Sequence, residues 1–199
     1  MDIATTICII GLGYIGLPTA SLLANRGYKV HGVDIDKHVV DTINQGEIHI
    51  VEPELDTFVR SAVNSDMLTA HLVPYEADVF MVAVPTPFNS KELNSITNTP
   101  IPNIDFVISA TKAIAPFIRK GNLVLLESTS PVGTTDIMAE ILIDAGININ
   151  EIYLAHSPER VLPGHIMREL VENDRVVGGI NEASTKVAAE FYKSFVEGR

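Results

Sequence analysis

The sequence predicts a doubly wound α/β fold, a mainly parallel sheet with helices on both faces, and three observations predict it. Short β-branched runs alternate with longer segments of helical period along most of the chain. Most of these runs are apolar throughout instead of alternating, as strands covered on both faces are. Gly, Pro, Asn and Asp punctuate the boundaries, where helices that return the chain to the same edge of a sheet start and stop.

The first strand is Thr6–Ile10, and segment 15–26 is the helix that returns from it, with Gly27 placed as a C′ glycine. Lys29–Val33 is the second strand. Lys37–Asn44 and 53–63 carry helical period, the first closed by Gly46 and the second opened by Pro53 at N1, where a missing N–H costs nothing. The apolar run 79–84 is the next strand. Residues 85–103 then hold four prolines, four asparagines and few apolar side chains, too long for an ordinary βα loop; such loops are usually functional or mobile. Segment 106–118 is a helix ending before Gly121, Leu123–Leu126 is a strand, and 132–145 is a helix behind Pro131 at N1 that stops at Gly146. Strands at 152–155 and 175–177 and an amphipathic helix at 182–196, with Val187, Phe191 and Phe195 on one face, complete the pattern. One domain over residues 1–199 is expected; its end on a helix reads as a domain boundary inside a longer protein, with a short natural protein as the alternative.

Composition bounds the function. The chain has 199 residues, 46% hydrophobic and 20% charged, enough for one large core and too apolar for disorder. Fourteen Lys and Arg against 25 Asp and Glu give a formal charge of −11, which repels phosphate backbones and anionic headgroups. Neither nucleic acid nor a membrane is an expected partner. No apolar run approaches the roughly 20 residues of a bilayer span, and Met1-Asp2-Ile3-Ala4-Thr5-Thr6 lacks the basic start of a signal peptide. A soluble, cytoplasmic protein is expected. The single cysteine, Cys8, permits no internal disulfide and no thiolate cluster, and inside a strand it reads as a packed small hydrophobe. No metal site is assigned, and any metal would have to rest on His and carboxylates.

Residues 7–16, Ile-Cys-Ile-Ile-Gly-Leu-Gly-Tyr-Ile-Gly, place a G-x-G-x-x-G directly after a strand and directly before a helix. In that context Gly11 permits the tight turn, Gly13 lets the backbone approach a pyrophosphate, and Gly16 allows close helix–strand packing. Tyr14 and Ile15 supply N–H donors at the helix start. Asp34 ends the next strand, at the distance where a carboxylate accepts from the adenosine ribose hydroxyls and repels a 2′-phosphate. A Rossmann-type domain binding NAD in preference to NADP is the expectation. FAD and S-adenosylmethionine use related turns, and the blander alternative is a tight connection with Asp34 as a helix cap.

Ligands of such sheets bind at the carboxyl ends of the strands, so the strand exits carry the chemistry. Val84-Pro85-Thr86-Pro87 fixes the backbone around Thr86, whose hydroxyl and N–H can meet the nicotinamide ribose. Glu127-Ser128-Thr129-Ser130-Pro131 is a hydroxyl cluster in which Thr129 either touches ligand or merely precedes Ser130 as an N-cap. At the third exit, Ala155-His156-Ser157-Pro158-Glu159-Arg160, Glu159 can serve as an acid/base group and Arg160 as an anion or sugar contact. From spacing alone, a surface ion pair between the two is the favoured reading. His156 reads as core.

Together, Gly11-Leu12-Gly13-Tyr14-Ile15-Gly16-Leu17-Pro18, Val84-Pro85-Thr86-Pro87, the run Glu127 to Thr134 and Ser157-Pro158-Glu159-Arg160 resemble the UDP-glucose/GDP-mannose dehydrogenase family, across most of the chain. Within it, the runs Glu47 to Pro53, Ser157 to Gly164 and Asn173 to Gly179 look most like the UDP-N-acetyl-D-mannosamine dehydrogenases; UDP-glucose dehydrogenases usually place a second glutamate where this chain has Pro163. The resemblance implies an NAD-dependent oxidation of a sugar C6 alcohol to a carboxylate in surface polysaccharide synthesis, with two NAD per turnover, through an enzyme-bound thiohemiacetal and thioester. It implies that Gly11, Gly13, Tyr14, Ile15, Gly16, Asp34, Thr86 and Thr129 contact NAD and that Arg160 and Val161 contact the UDP-sugar. Glu159 matches the glutamate that handles water in thioester hydrolysis, and Thr129 the threonine near the reacting centre. A homodimer of the full-length enzyme is implied as well. The family takes its catalytic cysteine, a lysine and an asparagine from segments this chain does not contain, so the fragment is expected to be inactive alone.

Two further readings stay open on the residues. UDP-N-acetylglucosamine 6-dehydrogenase or UDP-glucose dehydrogenase activity would use the same cofactor site, and a non-catalytic NAD-binding module would need nothing more. A short-chain dehydrogenase is disfavoured because no Tyr-x-x-x-Lys pair occurs.

Overall fold

The computed structural model describes residues 5–93 and 99–198. Six parallel strands, β1 (Thr6–Ile10), β2 (Lys29–Val33), β3 (Leu68–His71), β4 (Val79–Val82), β7 (Leu123–Leu126) and β8 (Tyr153–His156), form the body of a sheet. Its order is β3-β2-β1-β4-β7-β8-β9, the last strand (β9, Gly178–Gly179) running antiparallel to β8. The order reverses between β1 and β4, the switch point outside whose carboxyl ends ligands of open parallel sheets bind. A separate hairpin, β5 (Phe88–Leu93) with β6 (Pro100–Pro102), rises from the exit of β4.

Strand parity decides which core each side chain joins. Ile7 and Ile9 of β1 pack into one cluster with Leu17 and Leu23 of α1 (Gly16–Asn25) and Leu55 and Val59 of α3 (Leu55–Asn64). Phe191 of α7 (Glu182–Tyr192) and Leu170 of α6 (Ile166–Glu172) belong to the same cluster. Cys8 and Ile10 face the other way, into a cluster with Phe80, Val107 and Ile114 of α4 (Asp105–Ile114), and Met138 and Leu142 of α5 (Thr134–Asp144). Two cores, one per face, explain why the central strands are apolar at every position. Fully burying each such side chain contributes about 1.5–3 kcal/mol. The remaining helix, α2 (Lys37–Asn44), is capped by Asp36, whose side chain accepts from the His38 N–H.

Several expectations are corrected. The four-residue strand β3 has no counterpart in the sequence reading, because Leu-Thr-Ala-His alternates on a sheet edge and offers no apolar run. The strand expected at 175–177 is not one; the short pairing occurs at Gly178–Gly179, where a Cβ on Gly179 would lie 2.3 Å from the Thr185 nitrogen. Neither proline sits at N1. Helix α3 begins at Leu55 after Glu54, which has φ 66°, and α5 begins at Thr134 after Gly133, which has φ 92°. In each case a left-handed residue turns the chain behind the proline. The region 85–103 includes the hairpin, and its part 94–98 lies outside the described residues.

Helix α6 also escaped the sequence reading, for a long-range reason. Its start is held by Glu52, a buried residue whose carboxylate accepts from the Gly164 and Ile166 N–H groups at 2.8 Å each. This anion at the helix start comes from more than a hundred residues away in sequence.

Candidate functional site

The glycine turn has the predicted geometry. Gly11 adopts φ 94°, and a Cβ there would lie 2.6 Å from the Ala83 carbonyl oxygen of the neighbouring strand exit. A Cβ on Gly16 would lie 1.7 Å from the Gly11 carbonyl oxygen, so helix and turn meet at a distance only glycine permits. Gly13 is different. It is exposed, and nothing lies within 4 Å of where its Cβ would be, so the turn is open on that face. Helix α1 begins there with no side-chain cap and no acidic residue in its first turn, leaving backbone donors for an anion.

Asp34 is fixed beside that turn. Its Oδ2 accepts from the Leu12 N–H at 3.0 Å and its Oδ1 from the Asp36 N–H at 3.0 Å, which orients the carboxylate before any ligand arrives. His49, from the coil after α2, stands near Asp34 and Asp36; burial lowers its pKa more than those two carboxylates raise it. Nothing in its local sequence distinguishes it.

The next two exits are tied together. Thr86 Oγ1 donates to the Thr129 carbonyl oxygen at 2.6 Å, and Ser128 Oγ donates to the Val84 carbonyl oxygen at 2.7 Å. Ser130 is not a helix cap, since its Oγ donates to the Ser128 carbonyl oxygen and α5 starts four residues later. Thr129 is thereby released from the capping alternative and stands beside Thr86.

At the third exit the surface pair between Glu159 and Arg160 is overturned. Glu159 is 8% exposed, and its Oε2 accepts from Arg175 Nη1 in an ion pair whose side chains are 2% and 6% exposed. Only the backbone N–H of Arg160 reaches Glu159 Oε1, at 2.8 Å, while its guanidinium turns outward to the Asp174 carbonyl oxygen. Val161 is half-buried beside it. His156 is half-buried, with Nε2 3.1 Å from the Ser128 carbonyl oxygen, so it braces two exits and is not sealed in the core.

Two residues around the second and third exits were given no role by the sequence reading. Arg175 sits beside Val176 and Val177 and was absorbed into an expected strand. Glu127 is 1% exposed and accepts from the Tyr192 hydroxyl at 3.1 Å. Burial pushes its pKa up to about 7, against the opposing pull of Arg175 and the Tyr192 hydrogen bond. An acid at the end of the apolar run Leu-Val-Leu-Leu was the available signal. Between the usual carboxylate range and pH 7 the folded chain holds a proton that the unfolded chain has released. The stability tied to Glu127 is therefore complete at about pH 4.5 and is lost as pH rises to about 7. The melting temperature should fall more steeply from about pH 5 to about pH 8 in the natural chain than in Glu127→Gln, by calorimetry at matched ionic strength. Parallel curves would exclude the shift. Cys8 is buried as expected, with its thiol raised to about 11 by burial, which suits packing and not nucleophilic attack.

Comparison with known proteins accords with this geometry. Residues 5–196 match the family model described as the UDP-glucose/GDP-mannose dehydrogenase family, NAD binding domain. The chain belongs to that family. It is 50% identical over 201 residues to a UDP-N-acetyl-D-mannosamine dehydrogenase of Campylobacter jejuni, covering 96% of this chain and 48% of the relative. It is 48% identical over 203 residues to an NDP-N-acetyl-D-galactosaminuronic acid dehydrogenase of Ralstonia nicotianae, covering 98% and 46%. Among solved structures, a UDP-N-acetyl-mannosamine dehydrogenase from Staphylococcus aureus superposes with a TM-score of 0.90 at 38% identity, covering 98% of this chain and 46% of that one. The chain thus spans about half the length of the curated relatives it matches, and is a Rossmann-type dinucleotide-binding domain of the family. No helix among the described residues is long and apolar enough to cross a membrane.

Proposed function

We propose that this chain binds NAD, discriminates against NADP, and forms the cofactor half of an enzyme that oxidises the C6 alcohol of a UDP-sugar to the uronate, two NAD per turnover. UDP-N-acetyl-D-mannosamine is the proposed substrate, surface polysaccharide synthesis the proposed setting, and a homodimer the form of the complete enzyme. The observation that carries the reading is the open face of Gly13 between an uncapped helix start and a pre-oriented Asp34. Backbone donors at Tyr14 and Ile15 would hold the pyrophosphate, with Gly11 and Gly16 keeping the turn tight. The free lone pairs of Asp34 would accept from the adenosine ribose.

Bound NAD supplies a hydride acceptor. The chain's own residues do the rest of what this half contributes: Thr86 and Thr129, joined by their hydrogen bond, form the wall facing the nicotinamide ribose and the reacting carbon. Glu159, held by Arg175 and the Arg160 N–H and buried in this chain, is the carboxylate that would handle water once the complete enzyme brings substrate to this exit. The outward guanidinium of Arg160, with Val161, meets the UDP-sugar. Cys8 supplies no nucleophile from inside β1, so sustained turnover by this chain alone is not expected.

Calorimetric titration with NAD and NADP tests the cofactor reading. NAD should saturate one site, NADP should bind at least about 10-fold more weakly, and Asp34→Ala should weaken NAD by about 10–100-fold, the loss of hydrogen bonds to a charged acceptor. Equal affinity for both nucleotides would sink it. The relatives named for mannosamine and galactosaminuronic acid substrates differ by only two points of identity to this chain, so the sugar epimer is the open part of the proposal. Comparing kcat/KM for the epimeric UDP-sugars on the complete enzyme decides it.

A further inference from the structure

On the sheet face that carries Cys8 and Phe80, helices α4 and α5 pack against the central strands, and the connection from β3 to β4 contains no helix. Beyond that cover, His31 of β2 stands opposite Thr69 of β3 in the parallel register, and His71 lies two residues further along the same face. Their polar atoms converge. His31 Nδ1 and His71 Nε2 are 3.4 Å apart, and Thr69 Oγ1 lies 3.2 Å from the first and 2.9 Å from the second. The Tyr75 ring stacks on His31 with centroids 5.2 Å apart and lies 4.2 Å from the His71 ring, restricting both imidazole planes.

A ring-nitrogen pair at 3.4 Å is longer than a good hydrogen bond. The spacing does match metal coordination: a tetrahedral zinc with Zn–N bonds of about 2.0–2.1 Å holds two nitrogens about 3.3–3.4 Å apart. We propose that His31 and His71 form a binding site for a borderline divalent transition metal such as Zn²⁺, with the Thr69 hydroxyl or water completing the coordination. Imidazole donors select Zn²⁺, Ni²⁺, Co²⁺ or Cu²⁺ over Mg²⁺ and Ca²⁺, which prefer carboxylate and carbonyl oxygens. The formal charge of −11 favours cations around the molecule. Among the described residues no group of three or more His, Cys, Asp or Glu forms a metal cage. This two-nitrogen site is accordingly exchangeable, not one on which folding depends.

Calorimetric titration of the nucleotide-free chain with ZnCl₂, and with MgCl₂ as control, tests the proposal independently of the cofactor. One Zn²⁺ should bind per chain and Mg²⁺ should not. His31→Ala and His71→Ala should each weaken Zn²⁺ binding at least about 10-fold, whereas His38→Ala and His165→Ala, at exposed imidazoles elsewhere, should leave it unchanged. Co²⁺ should give a visible tetrahedral absorption band that both site variants lose. If an alanine variant misfolds by circular dichroism, His31→Gln and His71→Gln take its place with the same expected losses. Absence of Zn²⁺ binding by the natural chain, or binding undiminished in the folded site variants, overturns the proposal.

Discussion

Arg175→Met should lower the melting temperature by about 6–20 °C. The Glu159 carboxylate would be left charged, almost fully buried and without its guanidinium, and breaking one side of such a pair costs about 3–5 kcal/mol. For a chain of this length each kcal/mol is worth about 2–4 °C. The same substitution removes the Nη2 hydrogen bond to the Leu170 carbonyl oxygen and the guanidinium over the Tyr192 ring, 5.3 Å from its centroid. Adding Glu159→Gln should recover much of the loss, because the pair is then neutral. Arg175→Lys should recover less, since an ammonium cannot serve Glu159 and Leu170 together. A scanning-calorimetry series over these four chains checks the prediction. A drop below about 2 °C for Arg175→Met would mean that water reaches Glu159 and that the pair contributes little.

The glycine turn offers the second large effect, as a contrast between two alanines. Gly16→Ala drives a Cβ to 1.7 Å from a backbone oxygen; nothing flexible can yield, so the turn must distort, with a large loss of stability and of NAD binding together. Gly13→Ala meets nothing within 4 Å, and its φ lies outside the left-handed region. The chain should therefore fold with an unchanged melting temperature while NAD affinity falls about 10–100-fold, because the methyl group occupies the approach of the pyrophosphate. Thermal melts and NAD titrations on both variants separate the outcomes. Wild-type NAD affinity in a folded Gly13→Ala chain would place the phosphates somewhere else.

The parts of the molecule legible in the sequence are those whose cause is local. A strand followed by spaced glycines, a helix and a second strand ending in Asp34 is a contiguous instruction, and the structure follows it closely. The apolar runs of β1, β4 and β7 announce burial on both faces because no position in them needs water. What stayed hidden depends on partners far along the chain. Pairing to β2 alone makes a strand of Leu68–His71. Helix α6 rests on Glu52, and Arg175 becomes part of the site only when the fold carries it to Glu159. The prolines misled in a specific way: Pro53 and Pro131 carry helix-start chemistry, but Glu54 and Gly133 at positive φ place one more turn before each helix. At the third exit, adjacency in sequence suggested a pair between Glu159 and Arg160, yet backbone geometry sends neighbouring side chains apart and leaves the glutamate to a residue sixteen positions away.

The two hydrogen bonds that Glu52 accepts from the Gly164 and Ile166 N–H groups also set what this domain can do mechanically. They rivet the segment after α2 to the segment after β8. Neither segment can swing away from the other without stripping a buried carboxylate of two donors, at a cost on the order of 3 kcal/mol or more. The two segments consequently move as one piece, and residues more than a hundred positions apart in sequence share one mechanical fate.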